Sequence, residues 1–138
     1  MKGFDITLLF DGQAEEAFNF YKSVFGGEFI NVQRLGDLPS PEPIPDSEKN
    51  KILHMAFPIG GSVLMGMDMP WGRGTVNMGN NFFVTLNTSS EEETTMLFNK
   101  LAEGGNIMMP AEQQFWGAFF GMLTDKFGIQ WMLSYRSE

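Results

Sequence analysis

The stretch Phe115-Trp116-Gly117-Ala118-Phe119-Phe120-Gly121-Met122-Leu123-Thr124-Asp125-Lys126-Phe127-Gly128-Ile129-Gln130-Trp131-Met132-Leu133 decides how this chain folds. It reads as two β-strands joined by a tight turn. Thr124-Asp125-Lys126-Phe127-Gly128 carries the turn chemistry, because an aspartate bonds backbone amides locally and a glycine takes positive φ. Ile129, Trp131 and Leu133 alternate with Gln130, Met132 and Ser134, the period of a strand. That alternation places Trp131 between sheet and helix, on the face opposite Met132. Phe115, Trp116, Phe119 and Phe120 suit a core or an aromatic cleft equally.

Working back from this hairpin, Asn81 to Asn87 reads as a strand. A capping box follows, at Ser89 and Glu92 or at Ser90 and Glu93. Met96, Leu97 and Leu101 then build a helix that stops at Gly104-Gly105, and Ile107 to Glu112 is a strand. The first half has the same grammar. Phe4 to Phe10 is a strand, and Asp11-Gly12 turns the chain into a helix with Asp11 or a near neighbour as N-cap. Ala14, Ala17, Phe18, Tyr21, Val24 and Phe25 form its apolar stripe, and Gly26-Gly27 ends it. Phe29 to Leu35, Lys51 to Ile59 and Ser62 to Asp68 are strands, the last two joined by Gly60-Gly61. Between them, Gly36 to Asn50 carries Pro39, Pro41, Pro43 and Pro45 and reads as a mobile segment or a lid. Both halves therefore read strand, helix, Gly-Gly, strand, loop, strand, turn, strand. This is an internal repeat of supersecondary units. The expected fold class is α+β: one domain over 1–138, with tandem β-α-β-β-β modules at 1–68 and 81–138 joined by a linker at 69–80.

The formal net charge of −8 opposes a general affinity for nucleic acid, which depends on neutralising phosphates. The lysines and arginines are scattered and form no basic stripe. Cysteine is absent, which excludes disulfides and thiolate catalysis and fits a reducing, cytoplasmic setting. No apolar run follows Met1-Lys2, so no signal peptide is expected. No run approaches the ~20 apolar residues of a spanning helix, so no membrane partner is expected either.

The doubled pattern resembles the vicinal oxygen chelate superfamily, which includes glyoxalases, bleomycin-resistance proteins and extradiol dioxygenases, and within it the PhnB-like branch. The residues that carry the resemblance are Phe10-Asp11-Gly12-Gln13-Ala14-Glu15-Glu16-Ala17, Phe20-Tyr21, Val24-Phe25-Gly26-Gly27, Gly61-Ser62-Val63-Leu64-Met65 and Phe115-Trp116-Gly117 through Trp131. The resemblance implies modules that curl mixed sheets around a cavity, and it implies homodimers. Members of this branch often carry a 3-demethylubiquinone-9 3-methyltransferase label, and some a DNA-binding one. No glycine-rich strand-to-helix turn suited to S-adenosylmethionine is present.

In metal-dependent members, four strand residues, usually His, Gln or Glu, hold one divalent ion. Carried over one at a time, these positions fall near Asp5, at Met65, at Asn81 and at Met132. Thioethers suit Cu(I) and not Mg²⁺, Mn²⁺ or Fe²⁺. The expectation is therefore no metal and no cofactor, and a homodimeric protein that binds a small molecule of unknown identity in the cavity. The candidate ligand-binding residues are Thr7, Met65, Asn81, Phe83, Phe115, Trp116 and Met132. The alternatives are an enzyme of the same superfamily, of lyase or dioxygenase type, and the methyltransferase of the branch's label. His54, the only histidine, is either a general base or a hydrogen-bonded sheet residue. Arg34 and Arg73 either hold an acidic ligand or face solvent. No catalytic residue is assigned.

Overall fold

The repeat read in the sequence is the repeat of the fold. The computed structural model describes residues 1–39 and 43–137. In chain order the elements are β1 (Ile6–Phe10), α1 (Ala14–Phe25), β2 (Asn31–Arg34), β3 (Ile52–Ile59), β4 (Ser62–Asp68), β5 (Val84–Asn87), α2 (Glu91–Ala102), β6 (Asn106–Gln113), β7 (Phe119–Thr124) and β8 (Gln130–Tyr135). They form two units, residues 1–77 and 78–138. Each unit holds one four-stranded sheet, in the orders β1-β4-β3-β2 and β5-β8-β7-β6. In each, the first strand runs parallel to the last and the other neighbours are antiparallel. Both sheets are thus mixed and stay open at their edges, and neither closes into a barrel.

Period two gives each sheet a helix face and an open face. In the first unit Leu8, Phe10, Met55, Phe57 and Leu64 are buried with the α1 stripe Ala14, Ala17, Phe18, Tyr21 and Val24. Burying each large side chain contributes about 1.5–3 kcal/mol. Gly66 of β4 lets the Phe18 ring lie directly on the sheet, and a Cβ there would run into that ring. In the second unit Phe98 and Leu101 of α2 are buried with Leu123, Trp131 and Leu133. Gly121 of β7 admits Phe98 in the same way.

The two helices begin differently. Of the expected caps of α1, Asp11 or a near neighbour, it is the neighbour that holds the position. Gly12 takes φ 88° and turns the chain, so the N-cap falls at Gln13, whose side chain makes no capping bond. The Ala14 N–H instead donates to Asp68 Oδ1 at 2.9 Å. Oδ2 of the same buried carboxylate accepts the Ile52 N–H at 2.8 Å. For α2 the second expected spacing is realised: Ser90 Oγ accepts from the Glu93 N–H at 3.0 Å, and Glu93 Oε1 accepts from the Ser89 N–H at 2.9 Å.

Several strands are shorter than expected. Phe4 and Asp5 precede β1, Phe29 and Ile30 precede β2, and Leu35 opens a 3₁₀ turn, Leu35–Asp37. Asn81 to Phe83 lie outside β5, and the Phe82 carbonyl is taken by the Gln130 side-chain amide at 2.6 Å. Phe115 and Trp116 are not in a strand. Gln114 to Gly117 close a turn, with the Gly117 N–H on the Gln114 carbonyl and Gly117 at φ 94°. Within the proline-rich segment Asp46–Glu48 is a second 3₁₀ turn, and the Gly36 N–H donates to the Lys49 carbonyl. Residues 40–42, where the lid reading partly falls, lie outside the described residues.

Candidate functional site

The open faces carry the candidate residues. Thr7 lies directly opposite Met65, and Ala56 flanks Met65 on its other side. Asn31 completes this row opposite Ala56. In the next row Leu9 faces Met67, and His54 faces Gln33. The second unit repeats the motif. Thr85 lies opposite Met132, Met132 opposite Met122, and Met122 opposite Met109. The adjoining row pairs Asn87 with Ser134, Ser134 with Phe120, and Phe120 with Glu112. Met65 and Met132 are therefore counterparts, each beside a threonine of its unit's first strand.

Among the sequence candidates, Thr7 and Met65 are brought into direct contact range within the first unit. Met132 holds the matching place in the second. Phe83 is half-buried just before β5, with the alternation of Thr85, whereas Asn81 is exposed in the preceding loop. Phe115 and Trp116 form an edge-to-face pair with centroids 5.1 Å apart, and Trp116 meets Phe120 at 5.6 Å. Phe115 is 97% exposed, so this pair is a surface cluster and not core. The Arg136 guanidinium donates to the Trp116 carbonyl at 3.3 Å and holds the turn. Sequence reasoning did not single out Met122 and Met109. Pairing Thr124 with Gln130 across the 125–129 turn would have put Met122 opposite Met132.

The donors of a divalent centre do not fit. The counterpart positions offer two thioethers and two neutral hydroxyls. Asp5 precedes β1 and corresponds in the repeat to Phe83, because Thr7 corresponds to Thr85; Asn81 corresponds to Gly3. Among the described residues no three His, Asp or Glu side chains gather. Hard divalent ions need about six oxygens, and Zn²⁺ needs imidazole or anionic ligands.

His54 Nδ1 lies 3.3 Å from Asn31 Nδ2, the hydrogen-bonded sheet arrangement. Arg34 is committed within its own unit. Its guanidinium donates to both Glu15 oxygens, at 2.9 and 2.5 Å, and to the Asn50 carbonyl. That hydrogen bonding holds the Glu15 carboxyl below its ordinary range and raises Arg34, with burial opposing both.

Tandem β-α-β-β-β units, each with a mixed sheet in the order first-last-third-second, define the vicinal oxygen chelate fold. At the level of fold alone, the fosfomycin resistance protein FosX from Listeria monocytogenes, solved with Mn(II) and sulfate, matches with a TM-score of 0.66 at 14% identity, over 99% of this chain and 94% of that one. Residues 2–134 match the family described as 3-demethylubiquinone-9 3-methyltransferase, and the chain belongs to that PhnB-like family. Protein PA1353 from Pseudomonas aeruginosa is 37% identical, with a TM-score of 0.84 over 99% of this chain and 100% of that one. A PhnB protein from Bacillus cereus is 30% identical, with a TM-score of 0.72 over 97% and 99%. Protein YjdN from Escherichia coli is 30% identical over 92% of this chain and 90% of its own length.

Proposed function

We propose that this PhnB-like protein binds a small amphipathic or aromatic molecule against the open face of a sheet, and that it does so without the divalent metal centre of its superfamily. The observation that carries the reading is the paired placement of Met65 and Met132 beside Thr7 and Thr85. Such faces set adaptable thioethers among hydroxyl and amide groups that can orient a ligand. The exposed Phe115–Trp116 pair adds an aromatic surface to the second unit. The protein works in the cytoplasm as a homodimer.

The test is mass spectrometry of protein purified under native conditions, with elemental analysis of the same sample. The expected result is a co-purifying organic molecule and no stoichiometric divalent metal. One Mn, Fe, Zn or Ni per chain, removable only by chelator, would sink the reading in favour of a metal-dependent enzyme. Saturable binding of S-adenosylmethionine would favour the activity in the family's name.

A further inference from the structure

The open face of the second unit concentrates sulfur. Met122 in the middle of β7 is flanked by Met132 on β8 and by Met109 on β6. The register shifts between Ile107 and Met109, so Met108 and Met109 together oppose Met122 in a bulge. Met108 shares this face, because its Sδ accepts the Thr124 hydroxyl at 3.5 Å, and Thr124 has the alternation of Met122. Methionines thus line up on three adjacent strands.

These side chains are not core filler. Met55, which packs on the helix face of the first unit, is fully buried, whereas Met109, Met122 and Met132 are half-buried and Met108 is 44% exposed. Directly opposite side chains on one face have Cβ atoms ~4.5–5.5 Å apart. Methionine's flexible thioether arm gives three such sulfurs the reach to converge above the central strand. The surrounding groups are neutral: Thr85, Thr124, Gln130 and Ser134. The carboxylate paired onto this face, Glu112, sits opposite Phe120 in the adjoining row. Soft thioethers select Cu(I) over hard divalent ions.

We infer that Met109, Met122 and Met132, with Met108 at the rim, form a binding site for a soft monovalent cation, Cu(I) or its surrogate Ag(I). The inference uses residues of one unit only; it shares Met132 with the small-molecule reading, and the two are told apart because the titration below reads the thioether methyls directly and needs no organic ligand.

The test is an anaerobic titration of the whole chain with Cu(I) held by a chromophoric chelator, and a parallel one with Ag(I). Both are followed by NMR of methyl-labelled methionine. One ion per chain is expected, shifting the methyls of Met109, Met122 and Met132 and leaving Met55 in place. Leucine conserves methionine's volume, so Met122→Leu and Met132→Leu should keep the native circular dichroism. Each should weaken binding at least about tenfold, the low end of what disturbing a metal's surroundings costs. The inference is overturned if the chelator keeps all the Cu(I). It is equally overturned if both leucine variants titrate like the parent chain, if Mn(II) shifts the same methyls, or if the shifts centre on the first unit around His54.

Discussion

Asp125 joins a turn and a buried indole through one side chain. Oδ1 accepts the N–H groups of Phe127 and Ile129 at 2.8 and 3.1 Å, and Oδ2 accepts the Trp131 indole N–H at 2.9 Å. It therefore shapes the turn and seats the fully buried Trp131 together. An asparagine would keep the turn bonds but point an N–H₂ group at the indole N–H. Asp125→Asn should cost about 1–3 kcal/mol, the range for a buried donor left unsatisfied. Trp131→Ala should cost about 3–5 kcal/mol, as for other buried aromatics. Urea denaturation measures both, and an unchanged midpoint in either variant would count against this role. The turn function of Asp125 was legible from Thr-Asp-Lys-Phe-Gly, because an Asx turn is local. Its bond to Trp131 was not, because a side-chain partner across a hairpin leaves no mark in composition. Asp68 was less legible still: it reads as the polar end of a strand and is in fact buried under the start of α1.

At the scale of elements, the strands with clean alternation were legible and their ends were not. Ser62–Asp68 is observed as expected, whereas Asn81 to Phe83 lie outside β5, where the Phe82 carbonyl accepts the Gln130 side-chain amide. The methionine row was half legible: the repeat pointed to Met65 and Met132, and only register revealed Met122 and Met109. Helix α2 depends on its local cap, so Ser90→Ala should cost about 1 kcal/mol. Thermal denaturation of the variant checks this, and no loss of stability would mean the cap is redundant. Helix α1 is tied to β2 by Glu15 and Arg34, both partly exposed. The Glu15 pKa is lowered mainly by the Arg34 hydrogen bond. A depressed carboxylate pKa gives stability that is full above the unfolded value and disappears as pH falls through the folded one. Glu15→Gln should therefore lower stability by about 0.3–1 kcal/mol at neutral pH, a range set by solvent screening. The gap from the parent chain should close on acidification below the ordinary carboxylate range, and a gap that stays constant with pH would exclude the pairing as its source.

At the scale of the chain, the strand orders among the described residues place β1 and β2 at the edges of one sheet and β5 and β6 at the edges of the other. Uncovered edges invite pairing with other chains, and a symmetric second copy, the commonest homo-oligomer, would cover them. Light scattering at micromolar concentration should give twice the 15.5 kDa chain mass. A monomer mass throughout would remove the homodimer from the proposal. The net charge of −8 predicts negligible DNA affinity at any moderate salt, and a salt-sensitive shift of duplex DNA would contradict it.

The contrast between the two helix starts has a kinetic consequence. Ser90 and Glu93 are three residues apart, so the first turn of α2 can form while the rest of the chain is still searching. The N–H of Ala14 waits for a carboxylate 54 residues away, which arrives only when β4 has closed a long loop. Refolding should therefore protect the α2 amides early and the first turn of α1 late. Pulse-labelled hydrogen exchange can time the two, and Asp68→Ala should delay or abolish protection at Ala14 while leaving the α2 phase unchanged. Equal protection times for the two helices would show that α1 is held by its apolar stripe alone.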